Sequence, residues 1–200
     1  MKKVYLLNKV CTFKACCILL AAFCIMLSTS CKDEHFDVNP DVDGRQTIWE
    51  NIKSNPDLSE FAYILSNTYY SKSETSRTPQ TYADLLSCDQ TFTVWAPKNG
   101  SFDFSYFKTL LEENSPTAQY RVEKELIRNN MVRYARPLSG TGVDTLDLLN
   151  DKTIVFDRTN KTLGNNRITT PNIGCSNGII HITDGAAPYL PHLYELLGQI

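Results

Sequence analysis

The chain has 200 residues, 42% hydrophobic and 21% charged, with a formal net charge of −2. Lys2, Lys3, Lys9 and Lys14 precede Cys31 without a single acid, so the 22 acidic and 16 remaining basic residues leave the chain from Cys31 onward at −6. No block of Lys and Arg occurs, which argues against a nucleic-acid partner, because phosphate binding needs clustered cations.

After the four lysines, an apolar run extends from Ala15 to Leu27 and is followed by Ser28, Thr29, Ser30 and Cys31. The run is shorter than the ~20 residues of a membrane-spanning helix. A positive leader, a short apolar run and small residues at its end read as an export signal. The pattern resembles a bacterial lipoprotein signal over residues 1–30, which implies a lipid on Cys31 as the first mature residue and attachment to a membrane through it. An uncleaved anchor or an ordinary secretory signal is the alternative. Residues 31–45 form an acidic linker with Asp33, Glu34, Asp37, Asp41 and Asp43 around Pro40, too polar to build a core. Lys32-Asp33-Glu34 resembles the acidic signal that sends some lipoproteins to the outer face of the outer membrane. The expected location is therefore the bacterial outer membrane, lipid-anchored and facing outward; a plain hydrated tether is the alternative.

Residues 46–200 suit one domain. Ile48, Trp49 and Ile52 mark a short helix, and Asn55-Pro56 opens a second whose buried stripe is Leu58, Phe61, Ala62, Leu65 and Tyr69. Residues 71–79 read as a polar loop, and Tyr82–Leu86 as a helical turn. Residues 91–97, TFTVWAP, form a buried strand ended by Pro97. Asn99 is a candidate cap for the turn that follows. Ser115 and Pro116 open a helix predicted to run to Asn130, with Val122, Leu126 and Ile127 on its apolar face. Short strands follow at 131–137, on both sides of a turn at Asn150-Asp151, near 165–173 and at 177–184; Leu193, Leu196 and Leu197 line one side of a helical tail. Helices before strands predict an α+β fold.

Two separated motifs carry a further resemblance. TFTVWAPKNGSF at 91–102 is similar to the Thr-Val-Phe-Ala-Pro-x-Asn-x-Ala-Phe of fasciclin domains, through Thr93, Val94, Ala96, Pro97, Asn99 and Phe102. NGIIHITDGAAP at 177–188 is similar to the family's second motif through Asn177, Gly178, His181, Asp184 and Pro188. Where the family has a Tyr-His pair, this chain has Arg133 and Tyr134. The resemblance implies N-terminal helices packed on a β-sheet core, wedge- or β-sandwich-like, with the two motif strands adjacent. It also makes Thr93, Pro97, Asn99, Asn177, Gly178, His181 and Asp184 structural residues.

His181 shares a strand face with Ile179 and Thr183, and it has no metal-ligand spacing to other His, Cys, Asp or Glu residues. It is expected to be a hydrogen-bonded core residue. Cys88 and Cys175 stand at equal offsets before the two motif strands, so their adjacency in the fasciclin fold implies a candidate Cys88–Cys175 disulfide, with two separate thiols as the alternative. Tyr69, Tyr70, Tyr82, Tyr106 and Tyr189 are candidate contacts for sugar or protein. No nucleophile elbow, phosphate loop, metal cluster or carboxylate pair appears, so neither enzyme activity nor a cofactor is expected. The resemblance implies a lipid-anchored cell-envelope adhesion or interaction module that binds an extracellular protein or glycan. The alternative is an accessory outer-membrane lipoprotein of a polysaccharide-uptake system.

Overall fold

Thr47 begins the first element with a capping box. Its hydroxyl accepts from Glu50 N at 3.2 Å while Glu50 Oε2 accepts from Thr47 N at 2.7 Å, so two orphan amides of a helix start are satisfied. The computed structural model describes residues 44–192. The signal, Cys31, nearly all of the linker and Leu193, Leu196 and Leu197 lie outside the described residues.

Helix α1 is Ile48–Ser54, burying Ile48 and Ile52. A 3-10 turn, Pro56–Leu58, leads into α2, Ser59–Asn67, which buries Phe61, Ile64 and Leu65. The helix stops before Tyr69, which instead starts strand β1. The segment expected to be a loop is a hairpin: β1 (Tyr69–Ser73) pairs antiparallel with β2 (Ser76–Thr81). Its composition is polar, and a tertiary contact decides its conformation. Glu123 accepts from the backbone N–H of Ser71 at 3.1 Å, and Arg128 Nη2 donates to the Ser71 carbonyl at 2.8 Å.

One turn of helix, α3 (Tyr82–Leu85), precedes strand β3 (Phe92–Pro97). Helix α4, Ser105–Glu112, was not expected; Phe107, Leu110 and Leu111 form its buried stripe. The helix predicted from Ser115 begins as read, with Ser115 Oγ accepting from Ala118 N at 3.1 Å and Pro116 at the first position. It runs as α5 (Pro116–Val122), widens into a π turn at Glu123–Ile127 and tightens into a 3-10 turn at Arg128–Asn130.

The later strands are β4 (Met131–Val132), β5 (Val143–Asp147), β6 (Thr153–Asp157), β7 (Thr162–Leu163), β8 (Asn166–Cys175) and β9 (Gly178–Thr183). The strand expected over 131–137 is therefore only two residues long. Asp151, at φ 62°, makes the expected turn between β5 and β6. One seven-stranded sheet has the order β4-β3-β9-β8-β7-β6-β5, and β3–β9 is its one parallel pair.

Alternation along β3 and β9 divides the core in two. Phe92, Val94, Ala96, Ile180 and Ile182 pack with the helices. The other face carries Trp95, which packs with Leu146, Phe156, Leu163 and Ile168 from the distal strands. Phe156 lies on β6, four strand intervals from β3, roughly 19 Å in a flat sheet. Its ring is nevertheless 5.7 Å from that of Trp95. The sheet therefore curls over on itself, giving helices on one side and a sandwich-like second core on the other. This is the α+β arrangement expected.

Candidate functional site

The polar residues of the two motifs converge on three junctions. At the first, Asn99 works far from its own turn. Its Oδ1 accepts from Glu60 N at 3.0 Å, and its Nδ2 donates to Pro56 O and Ser59 Oγ at 2.9 and 2.8 Å. Helix α2 has no side-chain cap of its own, so Asn99 caps it from 39 residues away. The expected local cap is thus corrected: tertiary packing sets a different helix end beside it. Asn99→Ala is expected to destabilise the domain by about 1–2 kcal/mol, read as a lower urea midpoint.

At the second junction, Asn177 is buried and its side-chain amide is fully used. Oδ1 accepts from Ile48 N at 2.8 Å, and Nδ2 donates to Leu86 O and Cys88 O at 2.8 and 2.7 Å. It joins the start of α1 and the end of α3 to the start of β9. Gly178, at φ 145°, lies directly opposite Phe92. Asp184 closes the other end of β9 by accepting from Arg167 N at 2.7 Å, and Pro97 ends β3 opposite Thr183.

The third junction holds His181. The chain after β4 crosses the sheet as an extended segment held by side chains below it. Thr93 Oγ1 donates to Tyr134 O at 2.6 Å and accepts from Arg136 N at 2.8 Å. His181 Nε2 donates to Arg136 O at 2.9 Å. Asn172 pairs with both backbone groups of Leu138, at 2.7 and 2.9 Å. Strands β3, β9 and β8 each supply one holder. Asn172 sits at φ 57° in a register shift of β8, and this turns its N–H onto His181 Nδ1 at 3.1 Å. With one ring nitrogen accepting and the other donating, the imidazole is the neutral Nε2–H tautomer. Burial pushes its pKa down to about 4, against the opposing bond to the Arg136 carbonyl. The ring stacks on Trp95 at 5.6 Å. Asn172 was missed by sequence reasoning, because a single Asn in a strand carries no signal of left-handed geometry.

A fourth polar cluster was also missed. Glu123 is fully buried beside Arg128, at 2.5 Å, and accepts from Tyr82 OH at 2.6 Å. Arg128 Nε donates to Tyr82 OH at 2.9 Å, and the guanidinium lies over Tyr70. Burial, and then the Glu123 charge, push the Tyr82 phenol well above its usual pKa. Glu123 lies three and four residues before Leu126 and Ile127, an acid on an apolar stripe, which was the available signal.

Tyr82 is therefore a core residue and is withdrawn as a surface contact. Tyr69 and Tyr106 are exposed, as are Tyr63 and Tyr134. Tyr70 is half-buried. Tyr189 lies within 5.9 Å of Lys124 Nζ and 5.1 Å of Lys152 Nζ. The nearby cleft of about 740 Å³ is lined by Asn129, Lys152, Ile154, Val155 and Leu190 among others.

The Cys88–Cys175 disulfide is not formed; both are free thiols. The two segments do meet, through Asn177 and Cys88 O, but each sulfur is directed elsewhere. Cys88 Sγ donates to Asp84 O at 3.2 Å, and Cys175 Sγ accepts from Asn51 Nδ2 at 3.4 Å. Burial raises the Cys175 thiol to about 12, against the Asn51 bond. Iodoacetamide is expected to alkylate exposed Cys88 at least about tenfold faster than Cys175 in folded protein, as checked by peptide mass spectrometry. Among the described residues no cluster of His, Cys, Asp and Glu could hold a metal ion, and no helix is long and apolar enough to cross a membrane.

A model of the fasciclin domain matches residues 64–186. Among solved structures, the FAS1 domain pair of the insect cell adhesion molecule Fasciclin I is similar at 16% identity and a TM-score of 0.42, over 73% of this chain and 51% of that one. The chain thus spans about half the length of that pair. No curated protein matches it.

Proposed function

The chain belongs to the fasciclin domain family, a cell-adhesion-type module, and from that premise we propose that it is a lipid-anchored interaction module of the bacterial outer membrane. It binds an extracellular protein or glycan and performs no chemistry of its own. The observation that carries this reading is the match over residues 64–186, which contains the first motif whole and the second from Asn177 through Asp184 to Ala186. The use of the motif side chains agrees with it. Thr93, Asn99, Asn177 and His181 hold the scaffold together, which leaves the exposed tyrosines and sheet surfaces for partners. Anchoring rests on the leader and Cys31, and the acidic linker serves as the tether.

Metabolic labelling with an alkyne fatty acid is expected to tag the wild-type chain and to lose the tag in Cys31→Ala. Protease shaving of intact cells is expected to remove the domain. A Cys31→Ala chain that keeps the tag, or a domain that resists shaving until cells are lysed, would defeat the anchoring or the outward orientation respectively. A glycan array separates direct sugar binding from protein binding.

A further inference from the structure

Strand β5 ends the sheet; among the described residues its outer edge is open over Val143–Asp147, and just beyond it Leu149 N donates to Met131 O of β4 at 3.0 Å. The bonds at its two limits fix which backbone groups face outward. Arg158 N donates to Gly142 O at 2.9 Å, and Leu148 N to Lys152 O at 2.8 Å. Both join directly opposite residues in the β5–β6 register, so even-numbered residues form the hydrogen-bonded pairs with β6. In an antiparallel ladder the alternate residues then turn their N–H and C=O groups away. Those are Val143, Thr145 and Asp147, and no hydrogen bond to them from another segment occurs among the described residues.

Edges of this kind are normally blunted by proline, lysine, a bulge or shortness. β5 has neither Pro nor Lys, and its five pairs with β6 run without a register shift. Asp144, on the other face, is neutralised by Arg136 and Arg158 at 2.5 and 3.0 Å. The opposite edge, β4, is two buried residues long. On the outer face beside the open edge, exposed Val143 stands at one end opposite Asp157, exposed Val155 lies beside Thr145 at the middle, and Asp147 stands at the other end opposite Thr153; Val143 and Val155 are 63% and 47% exposed.

We infer that β5 is a docking edge for an extended protein segment, which adds to the sheet as an antiparallel eighth strand. The segment places a cation opposite Asp147, a small polar residue opposite Thr145 and an apolar residue opposite Val143. In antiparallel order this reads as basic-x-polar-x-apolar. A second copy fits less well, because a two-fold pairing centred on Thr145 sets each Asp147 against the other copy's Val143. The negative charge of the chain from Cys31 onward also favours a basic partner. The inference rests on the reading of the domain as an interaction module and narrows its partner to protein.

The test uses the full chain in detergent and a fluorescein-labelled heptapeptide with Lys, Thr and Val at its second, fourth and sixth positions and Ser elsewhere. Binding at up to about 1 mM is expected, with slowed amide exchange over residues 143–147. Replacing Lys by Asp should weaken binding about fivefold. N-methylation at the second, fourth and sixth positions should abolish it, whereas N-methylation at the third and fifth should not, because only the first set donates to β5. Thr145→Pro should abolish binding without lowering the melting temperature appreciably, since the N–H it removes faces outward. Absence of binding, equal effects of the two methylation patterns, or self-association lost in Thr145→Pro would overturn the inference. A glycan or protein ligand that still binds Thr145→Pro would overturn it while leaving the module reading intact; loss of ligand and envelope attachment altogether would count against that reading.

Discussion

Replacing Gly178 with alanine is expected to leave most of the protein unfolded. A Cβ at this position would stand 1.9 Å from the Phe92 carbonyl oxygen and 3.0 Å from Ile48 Cδ1. The first contact is with backbone in the central parallel pair, so no side-chain rotation relieves it. Either β3 and β9 separate or the Asn177 junction breaks. The backbone at φ 145° adds a conformation that side chains rarely adopt. The combined loss should exceed about 4 kcal/mol, against a typical total stability of about 5–15 kcal/mol. Gly100 is the matched control, since its φ is 73° but nothing lies within 4 Å of an added Cβ. Gly100→Ala should cost only the left-handed penalty of about 1–2 kcal/mol. Urea unfolding of the two variants checks this. A Gly178→Ala protein as stable as Gly100→Ala would show that the two strands do not approach as closely as described.

The second large effect is a loss of stability in mild acid that depends on His181. Its unfolded pKa is ~6.5, and burial depresses the folded value to about 4. Between these values the unfolded chain holds a proton that the folded one lacks, so stability rises with pH. The contribution is complete above the unfolded value and is lost as pH falls to the folded one, for a total of about 3 kcal/mol. His181→Phe keeps an aromatic ring against Trp95 but leaves the Asn172 N–H and Arg136 C=O unpaired. It should lower stability at pH 7 by about 2–4 kcal/mol and flatten the slope between pH 4 and 6.5. Urea midpoints measured across that range in both proteins provide the readout. An unchanged slope in the variant would mean that the imidazole is not the buried, neutral group described.

The stability of both positions depends on the same pair of strands, which places the polar residues of the two motifs in the architecture of the fold. An interaction module needs such a frame, because exposed binding surfaces hold their shape only when the elements beneath them are rigid. The open edge of β5 lies on the curled half of the sheet. Trp95 and Phe156 brace that half, and the segment held on β3, β9 and β8 by Thr93, His181 and Asn172 reaches it through the Arg136–Asp144 ion pair.

What the amino-acid sequence determined by itself was whatever local chemistry dictates. The capping signals at Asn55-Pro56 and Ser115-Pro116, the largely apolar and fully buried β3, the turn at Asn150-Asp151 and the alternation that buries His181 depend on neighbours a few residues away. They could be read without coordinates, and the two fasciclin motifs added the adjacency of their strands. Tertiary structure decided the rest, because the deciding partner lay far off in the chain. The polar segment 71–79 became a hairpin through Glu123 and Arg128. Asn99 capped a helix that begins forty residues earlier. The cysteines stayed apart because Asn51 and the end of α3 hold each sulfur separately. Asn172 acquired its left-handed turn only where β8 slips against β9 beneath the imidazole. Hydrogen bonds and packing are indifferent to sequence separation, so a side chain that serves a distant backbone leaves little trace in the residues beside it.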